Sequence, residues 1–170
     1  MAINTKPIVP RDGSITVADA TGSPITSTIT YEDGDFSVSG LKPGQKDHQM
    51  FLDRGTMYAA RYTDESPVSF SFSAHATHIS DATEKTFMDS FLKLGAFAAG
   101  VSQFGSDTDE VWAVKVTFTA EQTNSGAAVD GSVTLTYCVG ECSFEEGTPG
   151  KFSVSGSAYL VSSAGIALAG

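Results

Sequence analysis

The sequence has few cysteines, few basic residues and no long apolar run, and each scarcity removes a class of protein. Two cysteines among 170 residues are too few for a disulfide framework, so we expect Cys138 and Cys142 to be reduced thiols. Ten basic against twenty acidic residues give a net charge of -10, which repels nucleic acid backbones and anionic membranes. No apolar stretch reaches the roughly 20 residues of a membrane helix, and the amino terminus lacks the apolar core of a secretory signal.

Motifs of common catalytic sites are also missing. There is no Gly-rich motif that opens a helix, no phosphate-binding loop and no nucleophile elbow. Glu141, Glu145 and Glu146 gather carboxylates near Cys142, but a glycosidase pair is defined by a separation in space. We therefore expect no enzyme, no catalytic residue and no cofactor, and a hydrolase that uses Glu141 or Glu145 is the weakest alternative.

Candidate metal ligands are scattered along the chain. His75 and His78 lie an odd number of positions apart on a predicted strand, so their side chains should face opposite sides. Acidic residues gather at positions 32–35 and 107–110, but neither cluster completes the twelve-residue EF-hand loop. We expect no metal site and interpret both clusters as acidic turns.

Alternation of apolar and polar residues predicts strands along most of the chain. The predicted strands are residues 14–18, 25–31, 36–39, 57–63, 67–78, 112–120, 132–139 and 152–160. In the seventh of these, the residues assigned to the core face are Val133, Leu135, Tyr137 and Val139. We predict a mainly β fold, an antiparallel β-sandwich or partly closed barrel, with residues 1–170 in a single domain.

One segment has helical periodicity instead. Asp81 is suited to an N-cap, Glu84 to a capping box and Gly95 to a left-handed C-terminal stop. The apolar stripe between them, at i, i+4 and i+7, is formed by Phe87, Phe91 and Leu94. We predict one flanking α-helix over about residues 81–94, with this stripe packed on the sheet.

Two long connections exceed what a hairpin needs. Residues 121–131 are polar, whereas residues 40–55 contain the apolar triplet Met50, Phe51 and Leu52 among turn residues. Such a triplet is held down either by its own domain or by a neighbouring copy, and both interpretations stay open. The two termini are predicted to be arms.

Three stretches are similar in pattern to the major tail tube proteins of long-tailed, siphovirus-like bacteriophages. They are residues 31–41, the Ser-Phe-Ser-Phe-Ser strand that runs into the predicted helix, and residues 144–156. The order of strands, one helix and further strands also matches over most of the chain. The resemblance implies a β-sandwich-like subunit that forms hexameric rings, whose sheets join into one barrel and whose stacking makes a tube without an active site.

The resemblance also implies partners and a location. Copies of the chain would contact each other in stacked rings, together with other tail proteins such as the tape measure and the tail terminator. DNA would pass through the lumen without specific binding, and no membrane is involved. The protein would be part of the virion tail, assembled in the host bacterial cytoplasm. In this sequence, Met50, Phe51 and Leu52 become the candidate inter-ring contacts.

Two other classes share the acidic, β-rich profile. A phage capsid decoration or head-tail joining protein would form isolated oligomers instead of tubes. A carbohydrate-binding β-sandwich would need exposed aromatic residues, whereas Trp112 and most phenylalanines alternate into predicted core faces.

Overall fold

Antiparallel strands dominate the computed structural model, which describes residues 13–22, 24–28, 35–80, 83–106, 110–120, 129–159 and 166–169. The strands are β1 (Ser14–Ala18), β2 (Ile25–Thr28), β3 (Ser37–Ser39), β4 (Lys46–Asp53), β5 (Thr56–Glu65), β6 (Val68–His75), β7 (Val114–Ala120), β8 (Gly131–Glu145), β9 (Lys151–Tyr159) and β10 (Ile166–Ala169). The described helices are α1 (Phe87–Leu92) and two short 3-10 helices, Pro43–Gln45 and Gly95–Phe97. The predicted fold class, mainly β and antiparallel with one flanking α-helix, is confirmed.

Eight of the strands form one curled sheet. Its order is β2-β1-β7-β8-β9-β6-β3, and β10 pairs with the first half of β8. Curling brings Phe36, which precedes the edge strand β3, onto Phe118 of β7, with ring centroids 4.5 Å apart. The edge strands β2 and β3 do not pair with each other among the described residues, so the barrel is only partly closed.

The concave face of this sheet carries the core. On β6 the predicted alternation holds, since Val68, Phe70, Phe72 and Ala74 are each at most 3% exposed. The buried side chains of the neighbouring strands include Ile15 and Val17 of β1, Val114 and Val116 of β7, Leu135 and Cys138 of β8, and Phe152, Val154 and Ala158 of β9. This face of the sheet is therefore buried in the subunit's own core.

Strand β8 departs from the predicted alternation at a bulge. Val116 of β7 pairs with Leu135, but Val114 pairs with Cys138, so β8 has one additional residue between the two pairs. A bulge exchanges the two faces for all residues beyond it. The prediction that Val139 shares the core face with Leu135 is therefore wrong, and Cys138 takes the core position with 1% exposure.

Helix α1 begins later than predicted because a different residue caps it. Thr86 is the N-cap, and its Oγ1 accepts a hydrogen bond from the backbone N of Asp89 at 3.1 Å. The fully buried carboxylate of Asp89 in turn accepts hydrogen bonds from the hydroxyls of Thr86 and Ser80. Glu84 precedes the helix, and Asp81, the cap predicted from sequence, lies outside the described residues.

The C-terminal end of the helix also corrects the prediction. Lys93, with φ 55°, takes the left-handed C-cap position expected at Gly95. Leu94 therefore lies beyond the helix and is 48% exposed, so it does not pack on the sheet. Phe87 and Phe91 are 6% and 5% exposed, and their rings lie against the phenylalanines of β6.

Two facing glycines make room for the helix on the sheet. Gly140 of β8 pairs with Gly156 of β9. A Cβ on Gly140 would lie 3.2 Å from the ring of Phe91 and 3.3 Å from the ring of Phe70. A Cβ on Gly156 would lie 2.3 Å from the carbonyl oxygen of Val139. A side chain is thus excluded at either position: Gly140 leaves space for the two aromatic rings, and Gly156 allows the backbones of β8 and β9 to approach closely.

Replacing Gly156→Ala should lower the free energy of unfolding by about 1–3 kcal/mol, because β9 must move away from β8 to admit the methyl group. Urea denaturation followed by circular dichroism measures this loss. Ser155→Ala is the matched control, since its side chain is exposed on the opposite face of the same strand. Equal stability of the two variants would contradict the close approach of the strands.

Candidate assembly surfaces

The segment predicted as a long loop belongs to a β-hairpin that projects from the sheet. β4 and β5 pair from Lys46 and Glu65 at the base to Asp53 and Thr56 at the tip. The two turn residues, 54 and 55, both have positive φ, which is the geometry of a two-residue hairpin turn. The loop prediction is wrong because three consecutive apolar residues hide the alternation that indicates a strand.

Large apolar side chains of this hairpin are exposed. They are Met50 (56%), Phe51 (42%), Leu52 (64%), Met57 (60%), Tyr58 (82%) and Tyr62 (64%). The register places Met50 opposite Ala60 and Leu52 opposite Met57, so one face of the hairpin is apolar. A two-stranded hairpin is marginally stable alone in water, and an exposed apolar patch of this kind marks an interaction surface.

A buried glutamine fixes the base of the hairpin. Gln45 is 4% exposed, and its Nε2 donates hydrogen bonds to the carbonyl oxygens of Gly40 (2.9 Å) and Ser66 (2.8 Å). Its Oε1 accepts from the backbone N of Lys42 at 3.1 Å. Its own carbonyl oxygen accepts from the backbone N of Ser66 at 3.0 Å. These bonds join the chain that enters the hairpin to the chain that leaves it, and they close the base of the hairpin.

Replacing Gln45→Ala should loosen the hairpin, because the carbonyl oxygens of Gly40 and Ser66 lose their side-chain donor. We expect trypsin to cleave after Arg54 about tenfold faster, as the free energy of local opening falls by about 1–3 kcal/mol. Limited proteolysis with mass spectrometry measures the rate. Gln49→Ala, at an exposed position of β4, is the control, and equal cleavage rates in the two variants would contradict the clamp.

Serines line the face opposite the core in the β3-β6-β9-β8 half of the sheet. We call this surface the serine face, and its members are Ser37 and Ser39 of β3, Ser69, Ser71 and Ser73 of β6, Ser153, Ser155 and Ser157 of β9, and Glu141 and Ser143 of β8. Asp35 extends it, and its Oδ1 accepts from the backbone N of Ser73 at 2.9 Å and from the Ser73 hydroxyl at 2.6 Å. Ser73 is 2% exposed beneath Asp35, whereas the other members of the face are exposed or half-buried.

Threonines continue this polar face on the other half of the sheet. The register aligns Thr16 of β1, Thr117 of β7 and Thr134 of β8 in one row. The hydroxyls of Thr117 and Thr134 lie 3.4 Å apart. The solvated side of the sheet is thus hydroxyl-rich across the central strands.

The residues considered for catalysis and metal binding are spread over the structure. Glu141 and Glu145 both lie on the face that carries the serines, where Glu141 is opposite Ser155 and Glu145 is opposite Lys151. His75 ends β6 and His78 follows the strand at an exposed position. The clusters at 32–35 and 107–110 lie outside the described residues except for their last members. In the part of the chain that the structure describes, no group of three or more His, Cys, Asp or Glu side chains could hold a metal ion.

Both cysteines are free thiols on β8, as expected. Four residues along one strand separate them by about 13 Å, which is beyond the reach of a disulfide. Burial raises the pKa of Cys138 to about 12, although a backbone hydrogen bond from Val116 opposes it, and burial raises the pKa of Cys142 to about 11. Neither group is a reactive thiolate at neutral pH.

The fold is similar to that of chains from a contractile injection system. A chain of the PVC sheath/tube terminator of an extracellular contractile injection system, solved by cryo-EM in the extended state, aligns with 97% of this chain and 98% of its own length, at 12% identity and a TM-score of 0.55. A chain of the PVC sheath-tube complex in the extended state covers 97% of this chain and 93% of its own length, at 11% identity and a TM-score of 0.55. No family model and no curated protein matches the sequence.

At this level of identity the likeness shows a shared fold. The neighbours belong to sheath and tube assemblies of a contractile system, whereas the sequence pattern resembles siphovirus tail tubes. Within the described ranges, no helix is long and apolar enough to cross a membrane.

Proposed function

We propose that this chain is the subunit of a tail-like tube, in which six copies form a ring and the rings stack around a channel. The observation that carries the proposal is the clamped hairpin, which holds an apolar surface away from the body of the subunit. The fold shared with chains of sheath-tube assemblies supports a structural role of this kind. The proposed role needs no catalytic residue.

The hairpin supplies the contact between rings in this proposal. Met50, Phe51 and Leu52 are exposed on an element that makes no strand pairing with the main sheet among the described residues. Burying one such side chain contributes about 1.5–3 kcal/mol. Six hairpins around a ring multiply this gain, so a weak contact per subunit gives a stable stack.

The serine face lines the channel in this proposal. The face carries short hydroxyls together with the carboxylates of Asp35, Glu141 and Glu145, and the ammonium of Lys151 at its end lies 3.8 Å from a carboxylate oxygen of Asp35. DNA carries one negative charge per about 1.7 Å of duplex axis, so a neutral to negative wall lets it slide past without adhesion. The tape measure, a tail terminator and DNA are the partners that a tube of this kind would have, in a virion tail or a similar particle.

Removing the apolar face of the hairpin should abolish tube formation. The variant with Met50→Ser and Leu52→Ser should keep the circular dichroism spectrum of the native protein, because both side chains are exposed in the subunit. It should nevertheless stay in the supernatant under ultracentrifugation that pellets native tubes. Val111→Ser, which removes a 57% exposed apolar residue outside the hairpin, is the control.

Pelleting of the double variant at the native level would overturn the role of the hairpin. Isolated closed oligomers of the native protein, such as trimers, would instead favour a capsid decoration or head-tail joining protein.

A thiol placed on the serine face should be protected in tubes. With Cys142→Ser as background, Ser155→Cys should react with a bulky polymer-linked maleimide in dissociated subunits but not in assembled tubes, because the channel excludes the polymer. Val111→Cys, an exposed position next to Trp112, whose Nε1 donates to the carbonyl oxygen of Ser90 in helix α1, should react in both states. Gel-shift analysis measures the labelling. Equal labelling of position 155 in tubes and in subunits would show that the serine face does not line the channel.

A further inference from the structure

The two ends of the sheet differ in shape and chemistry. β6 begins at Val68, where the hairpin joins the sheet, and ends at His75. His75 pairs with Lys151, and Lys151 pairs with Glu145. The turn between β8 and β9 therefore lies at the same end as His75. The hairpin and this turn are consequently at opposite ends of the subunit.

A recess of about 260 Å³ lies beside the β8–β9 turn. Its walls are residues 76–79 and Phe144, Glu146, Gly147 and Gly150. Ile79 and Phe144 give it an apolar lining and are 55% and 39% exposed. Phe144 is fixed by packing on Phe152, with ring centroids 5.7 Å apart, and a 2.8 Å hydrogen bond from Ala76 N to the carbonyl oxygen of Gly150 joins the two walls. The two walls of the recess are thus held together by a backbone hydrogen bond, and one of them is supported by aromatic packing.

The hairpin tip complements this recess. Leu52 and Met57 form a cross-strand apolar pair beside the turn, and the turn carries the cationic Arg54 directly after Asp53. The recess offers the partly exposed side chains of Ile79 and Phe144 together with polar groups, among them the exposed carboxylate of Glu146. Copies with a net charge of -10 repel each other, so a cation is favourable where an acidic surface of the next copy approaches.

We propose that the recess of a second copy receives the hairpin tip, with the guanidinium of Arg54 against the carboxylate of Glu146. This inference rests on the proposed function, because it names the acceptor of the hairpin in the stacked rings. The contact joins two different surfaces at opposite ends of the subunit. Such a heterologous contact leaves one free hairpin and one free recess after each addition, and it produces an open-ended stack.

Charge reversal tests the pairing. Arg54→Glu and Glu146→Arg alone should each lower the yield of pelleted tubes about tenfold, because each places like charges in contact. The double variant, Arg54→Glu with Glu146→Arg, should recover at least about half of the native yield, since the pair is restored with its signs exchanged. Glu110→Arg, an exposed reversal outside the hairpin and the recess, is the control: alone it should keep the native yield, and combined with Arg54→Glu it should not restore the yield that Arg54→Glu loses.

Circular dichroism confirms that each variant is folded before its yield is compared. The acceptor site would be overturned if Glu146→Arg gave the native tube yield, or if the double variant gave no more tubes than the single variants. Neither result would contradict the proposed tube function. A native protein that forms no tubes at all would overturn the proposed function together with the acceptor site.

Discussion

The close approach of β8 and β9 at the Gly140–Gly156 pair is the constraint on which the rest of the structure depends. Gly156 lets the backbones of the two strands approach each other, and Gly140 leaves the space in which the rings of Phe70 and Phe91 lie against β8 and seat helix α1 on the concave face of the sheet. The side chains of that face form the subunit's own core. Every surface left for another molecule is therefore on the opposite face, on the sheet edges or at the two ends.

Those remaining surfaces have distinct chemistry. The serine face carries short hydroxyls and carboxylates, whereas the hairpin exposes large apolar side chains. Gln45 closes the base of the hairpin where the chain leaves β3 and where it enters β6. In the tube that we propose, the hairpin lies at one end of the subunit and the recess at the other. Successive rings would therefore stack in one direction. Its net charge of -10 disfavours unspecific association of the bodies.

The periodicity of apolar residues in the sequence predicted those strands and the helix whose form depends on residues close in sequence. Alternation identified β6 and β9, and the Phe87/Phe91 spacing indicated a helix. It failed at Cys138, because a bulge is set by pairing with β7 and leaves no mark in composition. It failed at the helix start because Asp81 was preferred to Thr86, although Thr86 and Asp89 form a local Thr-x-x-Asp capping pattern that the structure uses. The recess near Ile79 was not predictable, since it exists only when sheet registry brings distant segments together.

Electron microscopy of the purified protein at high concentration tests the central claim most directly. A helical reconstruction should show hollow tubes of stacked rings, with the serine face on the channel wall and each hairpin reaching the subunit of the next ring. Monomers or isolated closed oligomers at every concentration would contradict a tube subunit. So would tubes whose channel wall is formed by the helix side of the subunit.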